Sequence, residues 1–154
     1  MHFEERIEVQ TGKAEVWKFL WDVERVARCM PGCQEVREVS PGQRYEVVIE
    51  ERMGPFKIRF DMEVEVLERK EEELVRLRAE GSDRKLGTNS RGELEVRLEG
   101  LDSGATALDI TADIQVTGKI ASLGQVAIKR KAQSVVQKFA ETLAAELESE
   151  ARGK

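Results

Sequence analysis

Phe56-Lys57-Ile58-Arg59-Phe60-Asp61-Met62-Glu63-Val64-Glu65-Val66 alternates apolar and charged side chains without a break. Successive side chains of an extended strand point to opposite faces, so this stretch is expected to be a long strand with one buried and one solvated face. A helix would scatter the same apolar residues around its circumference. Upstream, Tyr45, Val47 and Ile49 begin a similar strand that ends near Met53, and Gly54-Pro55 supplies the turn between the two. Downstream the alternation returns in Val75/Leu77/Ala79, in Leu94/Val96/Leu98 and in Leu108/Ile110/Ala112/Ile114/Val116. The separators are Glu71-Glu72-Glu73, Gly81-Ser82-Asp83 and Gly100-Leu101-Asp102-Ser103-Gly104, all read as turns. Phe3, Ile7 and Val9 suggest a first strand, and Val36 and Val39 a short one after Pro31-Gly32. Strands joined by short turns give an antiparallel meander.

Helical spacing occurs in two places. Thr11 is expected to cap a helix starting at Lys13, with a second short turn from Asp22 to Arg28 that Pro31 stops. The long helix is expected from about Lys119 or Gln125 to Ser149. Ile128, Ala132, Val135, Val136, Phe139, Leu143 and Leu147 form its apolar stripe, and Lys129-Arg130-Lys131 is assigned to its solvated face. The expected class is α+β. A curved antiparallel sheet of about seven strands surrounds a long C-terminal helix, with two short helices after the first strand. Residues 1–150 form a single domain and Ala151-Arg152-Gly153-Lys154 a frayed tail. A single helix cannot fill the concave side of such a sheet, and the hollow between them is where a ligand would go.

Composition limits the chemistry. The chain has 154 residues, 36% of them charged, with 25 Lys+Arg against 30 Asp+Glu for a net charge of −5. That balance argues against a nucleic-acid binder, which gathers a basic excess on one face. The N-terminus lacks an apolar signal-peptide core and no apolar run approaches the ~20 residues of a membrane span, so a cytoplasmic protein is expected. The one histidine, His2, lies at an N-terminus expected to fray, which removes the usual base for a serine or cysteine nucleophile. Cys29-x-x-x-Cys33 has no further Cys or internal His to complete a zinc or iron–sulfur site, and its spacing is not that of a C-x-x-C redox pair. These thiols are expected to pack as small apolar groups, with no metal and no cofactor.

Val16-Trp17-Lys18-Phe19-Leu20-Trp21-Asp22-Val23-Glu24-Arg25-Val26-Ala27, Cys29-Met30-Pro31-Gly32-Cys33, Gly54-Pro55-Phe56 and Val116-Thr117-Gly118-Lys119-Ile120-Ala121 with Gly124 together resemble the CoxG family, the G subunit of carbon monoxide dehydrogenase. That family belongs to the START/SRPBCC helix-grip superfamily, and the resemblance runs to about Phe139. It implies a helix-grip fold with an apolar cavity for a hydrophobic small molecule, lipid- or quinone-like. It further implies an accessory or recruitment role with a carbon monoxide dehydrogenase-type molybdenum hydroxylase. Some members extend toward a C-terminal membrane anchor. This sequence ends at Lys154 without one, so any membrane contact is expected to be peripheral, at the inner face.

The inward parity and the helix stripe nominate the cavity wall: Trp17, Leu20, Met30, Tyr45, Val47, Ile49, Met53, Phe56, Ile58, Phe60, Met62, Leu77, Val96, Ile110, Ile114, Ile120, Leu123, Ile128, Val135 and Phe139. Glu51 is the polar candidate, because it shares the parity of Tyr45, Val47, Ile49 and Met53. A regular strand turns it inward and a bulge would turn it out. The other carboxylates fall on solvated parity or in turns. Gly118 to Gly124 lacks the Gly-Lys-Ser/Thr of a phosphate loop and is expected to lead into the long helix. The expected activity is binding without catalysis. The alternative is a small polyketide cyclase- or hydratase-like enzyme that uses Tyr45, Glu51 or an Asp as acid–base.

Overall fold

A computed structural model describes residues 1–152. Strand β1 (His2–Val9) is followed by helices α1 (Lys13–Leu20) and α2 (Val23–Arg28). The meander then runs β2 (Cys33–Ser40), β3 (Arg44–Met53), β4 (Phe56–Lys70), β5 (Leu74–Asp83), β6 (Thr88–Gly100) and β7 (Thr106–Gly118). A 3-10 turn at Lys119–Leu123 leads into α3 (Gln125–Arg152). The sheet order is β1-β7-β6-β5-β4-β3-β2, with antiparallel neighbours throughout. This is the expected curved sheet with one long helix against it.

Four local expectations are corrected. The N-cap of α1 is Gly12 and makes no side-chain bond, while the Thr11 carbonyl accepts from the Thr106 hydroxyl at 2.7 Å. Gly81-Ser82-Asp83 continues β5, and the turn falls at residues 84–87. Glycine is required at position 81 because a Cβ there would lie 2.3 Å from Met62 Sδ and 2.5 Å from the Asp61 carbonyl. Asp83 closes that hairpin. It is buried, and its carboxylate accepts the backbone N–H of Arg59 at 2.9 Å and of Leu86 at 3.1 Å. The Arg59 bond foremost holds its pKa below the usual carboxylate value, since both bonds favour the ionised form. The N-terminus is tied down, because the Met1 ammonium donates to the Ile114 carbonyl at 2.8 Å and β1 begins at His2. Finally, α3 continues through Arg152, past the expected end at Ser149. Of the expected frayed tail, Gly153 and Lys154 lie outside the described residues.

The charged parity forms a cross-strand lattice on the outer face. Arg6 bonds Asp109 and Glu99 at 2.8 and 2.9 Å, Arg59 bonds Glu50 at 2.8 Å, and Arg78 bonds Glu65 at 3.0 Å. Such exposed pairs are each worth little, roughly 0–1 kcal/mol, but they align opposite charges in one register. The apolar parity faces α3. The main packed cluster unites Val9 of β1, Val16, Trp17, Phe19 and Leu20 of α1, Cys29, and Val75, Val96, Leu98, Leu108 and Ile110 of the sheet. Phe139, Ala140, Leu143 and Leu147 bring α3 into it. The core therefore sits under the C-terminal half of α3, where α1 and α2 add a further layer. Arg25 of α2 pins that half by pairing with Glu146 at 3.3 Å and with Glu150.

Candidate functional site

The N-terminal half of α3 faces a different environment. β3 and β4 pair from Arg44↔Glu65 to Met53↔Phe56 with no register shift, so the inward parity of Tyr45 carries through to Glu51. The carboxylate is directed at α3, where Glu51 Oε2 meets Lys131 Nζ at 2.8 Å. These side chains are only 22% and 28% exposed. Lys131 is thus not on the solvated face of α3, as expected from the run Lys129-Arg130-Lys131. Its neighbours Lys129 and Arg130 are exposed, but Lys131 lies three residues after buried Ile128 and four before Val135, which puts it on the inner stripe. It is the site residue that sequence reasoning missed, and that spacing was the available signal.

Three contacts frame this pair. The Pro31-Gly32 turn packs on β3, with the Glu50 N–H donating to the Gly32 carbonyl at 2.9 Å. Gly32 has φ +78°, and a Cβ there would stand 2.0 Å from the Glu50 carbonyl oxygen and 3.4 Å from Glu51 Cγ. Only glycine accepts both that conformation and that approach. At the same end of the sheet, Leu123 reaches the β3–β4 turn, both its methyls being 3.7 Å from where a Cβ of Gly54 would lie. Lys119 Nζ stands 5.9 Å from the centroid of the Phe56 ring. The 3-10 turn carrying Lys119 and Leu123 is bounded by Gly118 (φ 97°) and Gly124 (φ 91°) and is fixed by the Ile120 N–H, which donates to Thr88 Oγ1 at 3.2 Å.

The nominated wall residues divide between the two halves. Trp17, Leu20, Val96, Ile110 and Phe139 belong to the main packed cluster, with Met30 and Leu77 against it, and Ile114 packs on a smaller cluster of Phe3, Ala112 and Val136. Tyr45, Val47, Ile58, Ile120 and Ile128 are buried yet belong to neither cluster. Around them Ile49, Met53, Phe56, Phe60, Met62, Leu123 and Val135 are only half-buried. An inward-facing apolar residue that keeps accessible surface lacks packing partners on one side. Ile49, Phe60, Met62 and Val135 thus keep more accessible surface than Phe139, Leu143 and Leu147 further along the helix.

The remaining candidates lie apart from this region. Tyr45 is buried, which raises its phenol pKa, and six residues of strand separate it from Glu51, about 20 Å. Cys29 is buried in the core and its thiol is pushed up to about 11 by burial, while burial also raises Cys33. Neither is activated as a thiolate. His2 bridges Asp113 at 2.7 Å and Glu4 at 3.1 Å on the outer face. Among the described residues no group of three or more His, Cys, Asp or Glu could hold a metal ion. A trough of about 820 Å³ lies on the outer face, lined by residues such as Asp61, Glu80, Arg91 and Gln115. For all its size, that polar lining offers an apolar ligand little to bury against. The inner face is the better site on chemistry.

The sequence model of the family described as the G subunit of carbon monoxide dehydrogenase (CoxG) matches residues 6–148. Solved structures share the fold. A conserved protein from Geobacillus kaustophilus superposes with a TM-score of 0.84 at 22% identity, covering 96% of this chain and 95% of that one. A START superfamily protein from Mycobacterium smegmatis gives 0.71 at 13% identity, covering 96% and 97%. The Zhui aromatase/cyclase from Streptomyces sp. R1128 gives 0.67 at 18%, covering 99% and 93%. Among curated protein sequences none is significantly similar.

The frame of the site yields a stability prediction. Gly32→Ala forces a side chain into a left-handed conformation and onto the Glu50 carbonyl, and is expected to destabilise the fold by at least about 2 kcal/mol. Gly12→Ala, where a Cβ meets nothing within 4 Å, is expected to change stability far less. Urea titration of both variants measures the difference, and equal midpoints would contradict it.

Proposed function

Because the chain belongs to the CoxG family of carbon monoxide dehydrogenase proteins, we propose that it binds a hydrophobic small molecule, lipid- or quinone-like, between the sheet and the N-terminal half of α3. The observation that carries the reading is the burial pattern there: inward side chains such as Ile49, Phe60, Met62 and Val135 keep part of their surface accessible, while Phe139, Leu143 and Leu147 are packed. From Ile128 to Phe139 the helix rises about 16 Å, room for a ring system or a short chain. Burying ~300 Å² of apolar ligand surface there would supply a gross gain of roughly 7 kcal/mol. Met53 and Met62, with flexible polarizable thioethers, suit a wall that adapts to its ligand.

In this reading the protein is a carrier or accessory component serving a molybdenum hydroxylase of the carbon monoxide dehydrogenase type, rather than a catalyst. The cyclase-like alternative draws on the fold shared with an aromatase/cyclase. It is disfavoured by the spacing of its two named acid–base candidates, since Tyr45 and Glu51 are too far apart to serve one reacting centre. Purified protein extracted with organic solvent is expected to release a hydrophobic compound detectable by mass spectrometry, and a short-chain quinone to raise the melting temperature. An empty extract together with unchanged melting would overturn the container reading.

The end of the molecule that carries the opening is also where a peripheral membrane contact belongs. Arg52 and Lys57 flank the β3–β4 turn, Arg84 and Lys85 lie in the β5–β6 turn, and Lys119, Lys129 and Arg130 follow β7. The Gly118-Lys119 junction touches the β5–β6 turn, with the Lys119 N–H bonded to the Gly87 carbonyl at 3.1 Å. No acidic residue occurs between Gln115 and Ala140, and Val126 is 72% exposed. Cations around an exposed apolar side chain fit anionic headgroups, at about 1 kcal/mol for each basic residue near the surface. No described helix is long and apolar enough to cross a membrane. Co-sedimentation is expected with phosphatidylglycerol-containing vesicles and not with phosphatidylcholine alone. It should weaken with salt and fall at least about tenfold in Lys129→Glu/Arg130→Glu. Equal binding to both vesicle types would contradict the contact.

A further inference from the structure

The ion pair at the edge of the apolar face has more bonding capacity than the protein uses. On the inward parity of β3, and of β4 up to Val66, Glu51 is the one carboxylate among the described residues, and Lys131 is the one charge on the inner stripe of α3 from Ile128 to Leu143. Each could have been apolar: a half-buried pair gains little net stability over packed hydrocarbon, since both charges lose water. The bond between Lys131 Nζ and Glu51 Oε2 leaves Glu51 Oε1 and two of the three ammonium hydrogens with no partner among the described residues. An acceptor and donors thus stand side by side where the apolar lining ends.

Resting on the container reading above, we infer that Glu51 and Lys131 form the head-group site for the bound molecule, and that they select a neutral head carrying hydroxyl and carbonyl oxygens. A ligand carbonyl accepts from the free ammonium hydrogens while its hydroxyl donates to Oε1, so the pair stays intact and neutral. A free carboxylate head gains less: Lys131 is already neutralised, and the incoming charge would stand beside that of Glu51. The site therefore favours neutral esters, phenols or hydroxyl-bearing rings over fatty acids of equal chain length. Binding replaces the pair's water with fitted hydrogen bonds, so a head that pairs both groups binds more tightly than one that pairs Lys131 alone, as a quinone carbonyl does.

Competition against Nile red, a neutral apolar dye, tests the head group separately from the container. On the wild-type full chain, 1-monodecanoylglycerol is expected to displace the dye at a concentration at least about tenfold lower than decanoate. Glu51→Gln leaves Lys131 unpaired and should bring the two within about threefold by improving decanoate. Lys131→Met should weaken the monoester at least about tenfold relative to the dye, each affinity measured by its own titration. The exchanged pair Glu51→Lys/Lys131→Glu should restore the preference, and keeps the test decisive if a single variant fails to fold. Dye binding with the same head preference in every folded variant would leave the pair as a brace only and overturn the inference alone. No dye uptake by wild type would overturn the container reading and the head-group site with it.

Discussion

Everything in this fold follows from one geometrical mismatch: a seven-stranded curved sheet has more concave apolar surface than one helix can cover. α3 buries its stripe against that surface, and burial of Leu143 and Leu147, both nearly inaccessible, anchors the contact. Along its C-terminal half, α1 makes up the deficit with Trp17, Phe19 and Leu20, with Val26 of α2 partly buried against the same cluster, and interior packing becomes dense. Along its N-terminal half neither short helix adds such a layer among the described residues. There β3 and β4 present Ile49, Phe60 and Met62 to a helix that covers them only in part. The short helices thus help decide which inward residues are packed and which keep accessible surface.

Charge is distributed by the same division. The outer parity carries an alternating lattice of Arg and Glu that keeps a charge-dense sheet soluble without much net stabilisation. The acidic excess of the whole chain hides a basic end, where the turns around the opening carry Arg52, Lys57, Arg84, Lys85 and Lys119. Chain-averaged charge gave no indication of this, since average charge says nothing about its placement. Glu51, paired with Lys131, lies three residues before the β3–β4 turn at that end.

Much of this was legible in the residues because strand parity is a strict code. The eleven residues from Phe56 to Val66 fixed the long strand, and parity counted from Tyr45 correctly turned Glu51 inward, which a bulge would have reversed. Tertiary contact decided the rest. Gly81-Ser82-Asp83 has turn composition but stays in the ladder, paired with β4 and β6, and the glycine leaves the space that Met62 occupies. Lys131 was hidden inside a basic run whose other two members are solvated, although its spacing from Ile128 and Val135 assigns it to the inner face. The partition of the wall into packed core and loose lining could not be read at all. Phe139 and Phe60 are the same residue on equally inward positions, and only the neighbours brought by α1 and α2 distinguish them.

The interior is expected to be loosely filled at one end of α3 and solid at the other. Xenon enters apolar voids and leaves dense cores alone, so methyl NMR of the ligand-free protein under xenon pressure addresses it directly. The methyls of Ile49, Ile58, Ile120 and Ile128 are expected to shift with xenon pressure, while those of Ile110, Leu143 and Leu147 stay unmoved. Shifts confined to the second set, or none in the first, would contradict a container at the N-terminal half of α3.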